Sequence, residues 1–200
     1  MVNIDHQRRE RPILFNGDMV RAILAGQKTQ TRRVLKVPHG LWETSANGLV
    51  PIPTGCPFGE LGDRLWVLET TEVDIETSES VELARYSADR QPVCYPDGTG
   101  SGYDGAIQHW WYSRDTCPSI HMPRRACRLA LEVTAVRMER LQAISEADAI
   151  AEGTTPSIVG DDLLHLAHPA GFQTHWASTG GDWDSNPWVW VIAFKRVEHR

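Results

Sequence analysis

The sequence predicts an α+β domain, a small barrel-like sheet flanked by short helices and carrying long loop insertions. Three observations predict it. Runs rich in β-branched and aromatic residues with strand periodicity recur at residues 64–69, 127–138 and 187–197. Two short helical stretches, near 19–25 and 145–153, are bracketed by capping and stop signals. Between such elements lie Gly/Pro-rich segments longer than ordinary connections. With 200 residues, 41% hydrophobic and 23% charged, the chain can supply one sizeable core and is not disordered. The organisation expected is a loose polar arm over 1–10 and one domain over 11–200, with insertions near 36–60, 70–117 and 154–180.

The elements follow in order. Arg11 to Phe15 is a short apolar strand with Pro12 near its start, where a missing N–H does least harm. Asn16-Gly17-Asp18 is a turn and N-cap for a helix in which Met19, Val20, Ile23 and Leu24 recur at helical spacing, with Gly26 as its stop. Lys28 to Leu35 alternates in type and is rich in β-branched residues, hence a strand. Four prolines and five glycines make 36–62 a loop. Arg64 to Glu69 is a strand, and the Gly/Pro/Asp-rich stretch 91–119 a second excursion. Cys127 to Met138 is a long strand with Leu129, Leu131, Val133 and Ala135 expected on one face. Ser145-Glu-Ala-Asp148 opens a short helix ending near Glu152-Gly153. Helical stretches at Asp161–Ala167 and Phe172–Ser178 are expected to be separated by Pro169 and Gly171. Pro187 to Val197 is apolar on both faces, a strand buried on both sides.

The net charge of −6 hides an asymmetry. Residues 1–40 hold eight Lys/Arg against three acids, a balance of +5, so the remainder stands at −11. Seven acids against Arg85 make 69–89 an acidic surface on which a partner could dock. Global acidity argues against a protein that coats nucleic acid, which needs a broad basic face. It leaves room for a small basic mouth facing one anionic or nucleotide-like ligand. No apolar run approaches the roughly 18 residues of a membrane span, and residues 1–15 are charged where a signal peptide is apolar. A cytoplasmic chain with no membrane partner is expected, its four cysteines free thiols. Its oligomeric state is left open.

The chemistry concentrates in two places. Gly26-Gln-Lys-Thr-Gln-Thr-Arg-Arg33 packs one of only three lysines against two hydroxyls and two guanidiniums. An amine beside a hydroxyl can act as base and nucleophile, the Ser/Thr–Lys alternative to a histidine triad. A free lysine, with a pKa of about 10.4, is a poor base at neutral pH, but burial and the positive Arg32 and Arg33 would lower it. In a regular strand Lys28, Gln30 and Arg32 share one face and Thr29, Thr31 and Arg33 the other, so Lys28 meets Thr31 only through irregular backbone. The plainer alternative is an exposed polar strand on a basic surface. Glu152 ends a helix, where a carboxylate is disfavoured by about 0.3–1 kcal/mol and inclined to take a proton; the plainer alternative is a solvated side chain. Cys94, His109, Cys117 and His121 lack the paired spacing of a metal site, and no phosphate-binding glycine loop or G-x-S-x-G motif occurs.

Read together, these segments resemble a known family. Pro12-Ile-Leu-Phe followed by Met19 to Arg33 is similar to the opening of ASCH-domain proteins of the PUA-like superfamily, particularly the longer phage and prophage type. Gly62 to Glu69, Pro118 to Arg124, Leu141 to Gly153 and Asn186 to Phe194 fit the same pattern in the same order, spanning about 11–197. The resemblance implies a PUA-like β-barrel and an RNA-associated lineage. One branch comprises amidohydrolases that remove the acetyl group of N(4)-acetylcytidine. In that branch the lysine and second threonine of Gly-x-Lys-Thr-x-Thr and a glutamate after the central helix are catalytic. These fall on Lys28, Thr31 and Glu152. Thr29, Arg32, Arg33 and Trp66 are the corresponding substrate-binding candidates, with no metal or cofactor implied. The expected partner is a modified nucleoside or RNA. Departing from the pattern, this chain has long insertions that the compact enzymes lack. A non-catalytic RNA- or nucleotide-binding module is the alternative.

Overall fold

The structure, a computed structural model, describes residues 8–36, 42–45, 48–52, 55–95, 107–158 and 166–198. Its centre is a five-stranded sheet of β1 (Glu10–Leu14), β5 (Arg64–Leu68), β9 (Ala130–Arg140), β12 (Trp188–Val197) and β2 (Gln30–Val34), in that spatial order. β1 runs parallel to β5, and the other pairings are antiparallel. Pro12 is tolerated because β1 is an edge strand. β12 is apolar on both faces because it divides two cores. Trp190, Ile192 and Phe194 join Ile13, Val20, Leu65 and Leu131 in one. Val189 and Val191 pack with Leu141, Ala149 and Phe172 in the other.

The expected face of β9 changes partway along. Val133 pairs with Phe194 but Ala135 with Ala193, leaving Thr134 as an extra residue. This bulge resets the alternation. Leu131 and Val133 point into the core, Ala135 is exposed, and Val136 and Met138 return to the core side.

Among the described residues the sheet does not close by backbone pairing, so the barrel expected from the sequence is an open, curled sheet. A flat five-stranded sheet would hold its edges about 19 Å apart. Here the Arg33 guanidinium on edge strand β2 donates to the Leu14 carbonyl on edge strand β1. One side chain bridges the seam.

The segment 70–117 is not the plain loop expected. β6 (Thr71–Asp74) pairs with β7 (Leu83–Tyr86) and β8 (Thr116–Cys117) in a second sheet. It has its own core of Leu68, Ala84, Tyr86, Val93, Met122 and Cys127. The acids that marked this stretch as surface are partly drawn into ion pairs, Glu72 and Asp74 around Arg85. Arg128 ties the two sheets together, bonding Glu69 and Asp89 while lying over the Tyr86 ring. Within 36–60, β3 (Trp42–Ser45) and β4 (Gly48–Pro51) form a hairpin.

Three helices frame the site. α1 (Gly17–Leu24) is capped by Asn16, whose side chain accepts from the Met19 N–H at 2.9 Å. α2 (Glu146–Ala151) is capped by the Ser145 hydroxyl, which accepts from the Asp148 N–H at 3.1 Å. α3 (His168–Ser178) runs straight through Pro169 and Gly171. Pro169 occupies the first turn, where no N–H is needed. Gly171 is where the helix lies against Thr155, whose carbonyl would stand 1.9 Å from an added Cβ. β10 (Ser157–Ile158) pairs with β11 (Leu166–Ala167), so the last two residues of the expected 161–167 helix are strand, while 161–165 lie outside the described residues. Cys56, Cys94, Cys117 and Cys127 are free thiols. Among the described residues no helix is long and apolar enough to cross a membrane.

Candidate functional site

The end of α1 and the end of α2 are joined through a short irregular segment ahead of β2. The N–H groups of Gln27 and Lys28 both donate to the Ala22 carbonyl, and the Thr29 N–H donates to Ala151 at 2.8 Å. Lys28 thereby forms an isolated bridge with Glu152, outside the regular strand. Gly153 permits that approach. Its φ is +76°, and a Cβ there would stand 3.0 Å from the Cβ atoms of Ala22 and Lys28.

The backbone brings three charges into one buried cluster. The Lys28 ammonium donates to Glu152 Oε2 at 2.7 Å and to the Glu152 carbonyl at 3.1 Å. Arg32, two positions along the same face, donates to Glu152 Oε1 at 3.0 Å. Lys28, Arg32 and Glu152 are 3%, 3% and 6% exposed, so these interactions operate away from water. Arg32 also pairs with Glu139 and with Asp148 at 3.3 Å, and it lies over the Phe172 ring. Gln30, between Lys28 and Arg32, donates to Asp148 at 3.1 Å. Strand alternation thus delivers Lys28, Gln30 and Arg32 to the α2 side, as the sequence predicts.

A cavity of about 430 Å³ opens beside this cluster. Leu14, Phe15 and Asn16 form one wall, Thr31, Arg32 and Arg33 a second, and Phe172, His175 and Trp176 of α3 a third. Glu152 reaches it, while Lys28 stands behind Glu152 and Phe15, its Nζ 5.8 Å from the centre of the Phe15 ring. His175 and Glu152 also line a neighbouring cavity of about 320 Å³. The Thr31 hydroxyl makes no hydrogen bond among the described residues.

Burial pushes the Lys28 ammonium below the usual lysine range, helped by Arg33 and Arg32 and opposed by Glu152. Burial also lowers Arg33, against the pull of Glu152. His175 is lowered by burial and by the Lys28 charge, with Glu152 and Asp18 opposing. A desolvated amine, a threonine at the cavity wall and a carboxylate gripped by two cations form a set able to move protons around a reacting group.

Of the expected site residues, Lys28, Thr31, Arg32, Arg33 and Glu152 gather around one cavity or directly behind it. Thr29 does not join them: it is exposed, and its backbone bonds Ala151 and Phe194. Trp66 lies on β5 against the second core, with Arg124 over its ring, and does not line the cavity. The tryptophan that does is Trp176. Together with Phe172 and His175 it was not among the expected site residues. Their only signal was the helical spacing of 172–178, which places no residue against β2. Among the described residues no group of three or more potential metal ligands converges.

No protein-family model matches the chain. No curated protein matches it in sequence. Among solved structures, the chain superposes on a DUF984-family protein from Enterococcus faecalis V583 with a TM-score of 0.37 at 12% identity, covering 94% of this chain and 76% of that one. It superposes on an ASCH domain from Lactobacillus crispatus JV V101 with a TM-score of 0.34 at 16% identity, covering 96% and 81%.

Proposed function

We propose that the chain is an amidohydrolase that removes the acyl group from the exocyclic amine of an acylated cytosine nucleoside such as N(4)-acetylcytidine. The observation that carries the reading is that Thr31 and Glu152 line a cavity of about 430 Å³, within the size range of small-molecule sites, with Lys28 bonded to Glu152 directly behind it. The Gly-x-Lys-Thr-x-Thr resemblance supplies the substrate class. In this reading the Thr31 oxygen attacks the acyl carbon while its proton passes to the Glu152 carboxylate at the cavity and on to Lys28 in its neutral amine form. The bond from carbon to the cytosine nitrogen then breaks, and the proton returns to the departing amine. Water hydrolyses the resulting ester on Thr31. Glu152 holds Lys28 in place and, facing the cavity, relays the proton. The lowered affinity of Lys28 for its proton suits it to this work.

One observation favours a second reading, binding of a nucleotide or RNA without turnover. Lys28 donates to both the carboxylate and the carbonyl of Glu152, and an amine held so firmly is a reluctant base. Chromatography of N(4)-acetylcytidine incubated with the purified chain separates the two. Turnover to cytidine and acetate supports hydrolysis, and its absence with binding retained supports the second reading. Thr31→Val, which keeps the side-chain shape, should abolish turnover with the fold intact; Lys28→Ala should lower kcat by about a hundred- to ten-thousand-fold. Full activity in either variant rejects the mechanism.

A further inference from the structure

We infer that Arg33 is an anchor for a phosphate group carried by the nucleoside, so that the cavity takes a nucleotide in preference to a bare nucleoside. This deepens the proposed function and rests on it. The argument starts from how the cations at the cavity are neutralised. Lys28 pairs with Glu152. Arg32 pairs with Glu152, Glu139 and Asp148. Arg33 pairs with no carboxylate among the described residues. Its Nη2 donates to the neutral Leu14 carbonyl, its Nε is buried with no acceptor, and its Nη1 makes no hydrogen bond among the described residues.

That Nε is costly to hold, because a buried donor without a partner loses its water and gains nothing in exchange. An arriving phosphate reverses this. It offers several acceptor oxygens and a negative charge, the geometry a guanidinium fork matches best. Two neighbouring features point the same way. Asn16, the N-cap of α1, lines the same wall and offers a side-chain amide to the same space. The Phe15 ring lies 5.2 Å from Arg33 Cζ and 5.8 Å from Lys28 Nζ, so the anion anchor and the amine are separated by about one aromatic ring. A single ligand can place its base toward Thr31 and its phosphate toward Arg33, both of which line the cavity.

The test is calorimetric titration of the full chain with cytidine, cytidine 5′-monophosphate and a cytidine-containing dinucleotide at low salt. At least one of the two phosphate-bearing ligands should bind about tenfold more tightly than cytidine, equivalent to about 1.4 kcal/mol. The tighter of them identifies whether the phosphate belongs to a free nucleotide or to a strand. In Arg33→Gln that preference should vanish, the two phosphate-bearing ligands binding within about twofold of cytidine. Equal binding of all three ligands by the unmodified chain overturns the anchor but leaves the proposed function standing. So does a preference that survives in Arg33→Gln. If cytidine and both phosphate ligands fail to bind, the nucleoside reading itself falls, and the anchor with it.

Discussion

Replacing Glu152 by Gln tests the buried cluster directly. The side chain keeps its shape, but Lys28 and Arg32 lose the one carboxylate they share among the described residues. Removing one member of a buried ion pair costs about 3–5 kcal/mol, because the remaining charge is left without compensation. The lower end applies here. Lys28 keeps the Glu152 backbone carbonyl at 3.1 Å, and Arg32 keeps Glu139 and Asp148. About 3 kcal/mol, at about 2–4 °C per kcal/mol for a chain of this size, lowers Tm by roughly 6–12 °C. The loss should also depend on pH with a definite sign. The folded state already holds the Lys28 proton more weakly than the unfolded chain does, by burial first. Removing Glu152, the main group opposing that shift, weakens it further. The unfolded state therefore binds more protons, and stability rises with pH from the lowered Lys28 value up to its ordinary value near 10.5. Calorimetric melts of both proteins across neutral to alkaline pH should show a gap that narrows over the interval in which the parent Lys28 still holds its proton and the variant's has lost it, and that is constant above it. A variant within about 1 kcal/mol of the parent at pH 7, or a gap that widens with pH, refutes the cluster as described.

Two further outcomes are expected. Trp176→Ala should weaken nucleoside binding by about 1–3 kcal/mol, the usual worth of a base-stacking ring, whereas Trp66→Phe should leave it unchanged; the reverse pattern, read by titration calorimetry, would place the base against Trp66 and not in this cavity. Asp148 is pushed up by partial burial, but hydrogen bonds from Arg137, Gln30 and Ser145 outweigh this and hold it at about 2. Its folded value lies below its unfolded one, so its contribution of about 2 kcal/mol is complete above about pH 4 and fades as pH falls toward 2; urea melts of Asp148→Asn should lack that limb.

How much of this was legible in the sequence depends on how local each signal is. The convergence of Lys28, Gln30 and Arg32 on one side follows from strand alternation, and the position of Glu152 follows from the Ser145 cap and the Gly153 stop. The two apolar faces of β12 announced that it lies between two cores. What escaped was non-local. The second sheet was hidden by the acids around it, because a carboxylate drawn into an ion pair with Arg85 reads as a solvated one. The Thr134 bulge is visible only against its partner strand. Phe172, His175 and Trp176 belong to the site solely because α3 docks on it, and the tight contact at Gly171 that docks it has no sequence signature.

The Arg33 bridge across the seam of the curled sheet bears on how the molecule is assembled. β1, α1 and β2 are contiguous near the start of the chain, yet among the described residues β1 pairs only with β5 and β2 only with β12. The walls that these first elements supply cannot be set until the last strand of the sheet has arrived, and Lys28 waits for a partner 124 positions away. Such long loops must close before any contact rewards them, which makes folding slow and all-or-none. A ligand seated between Arg33 and Thr31 would then act as a clasp on the seam. Its binding should be felt as resistance of the entire sheet to unfolding, and not merely of the residues it touches.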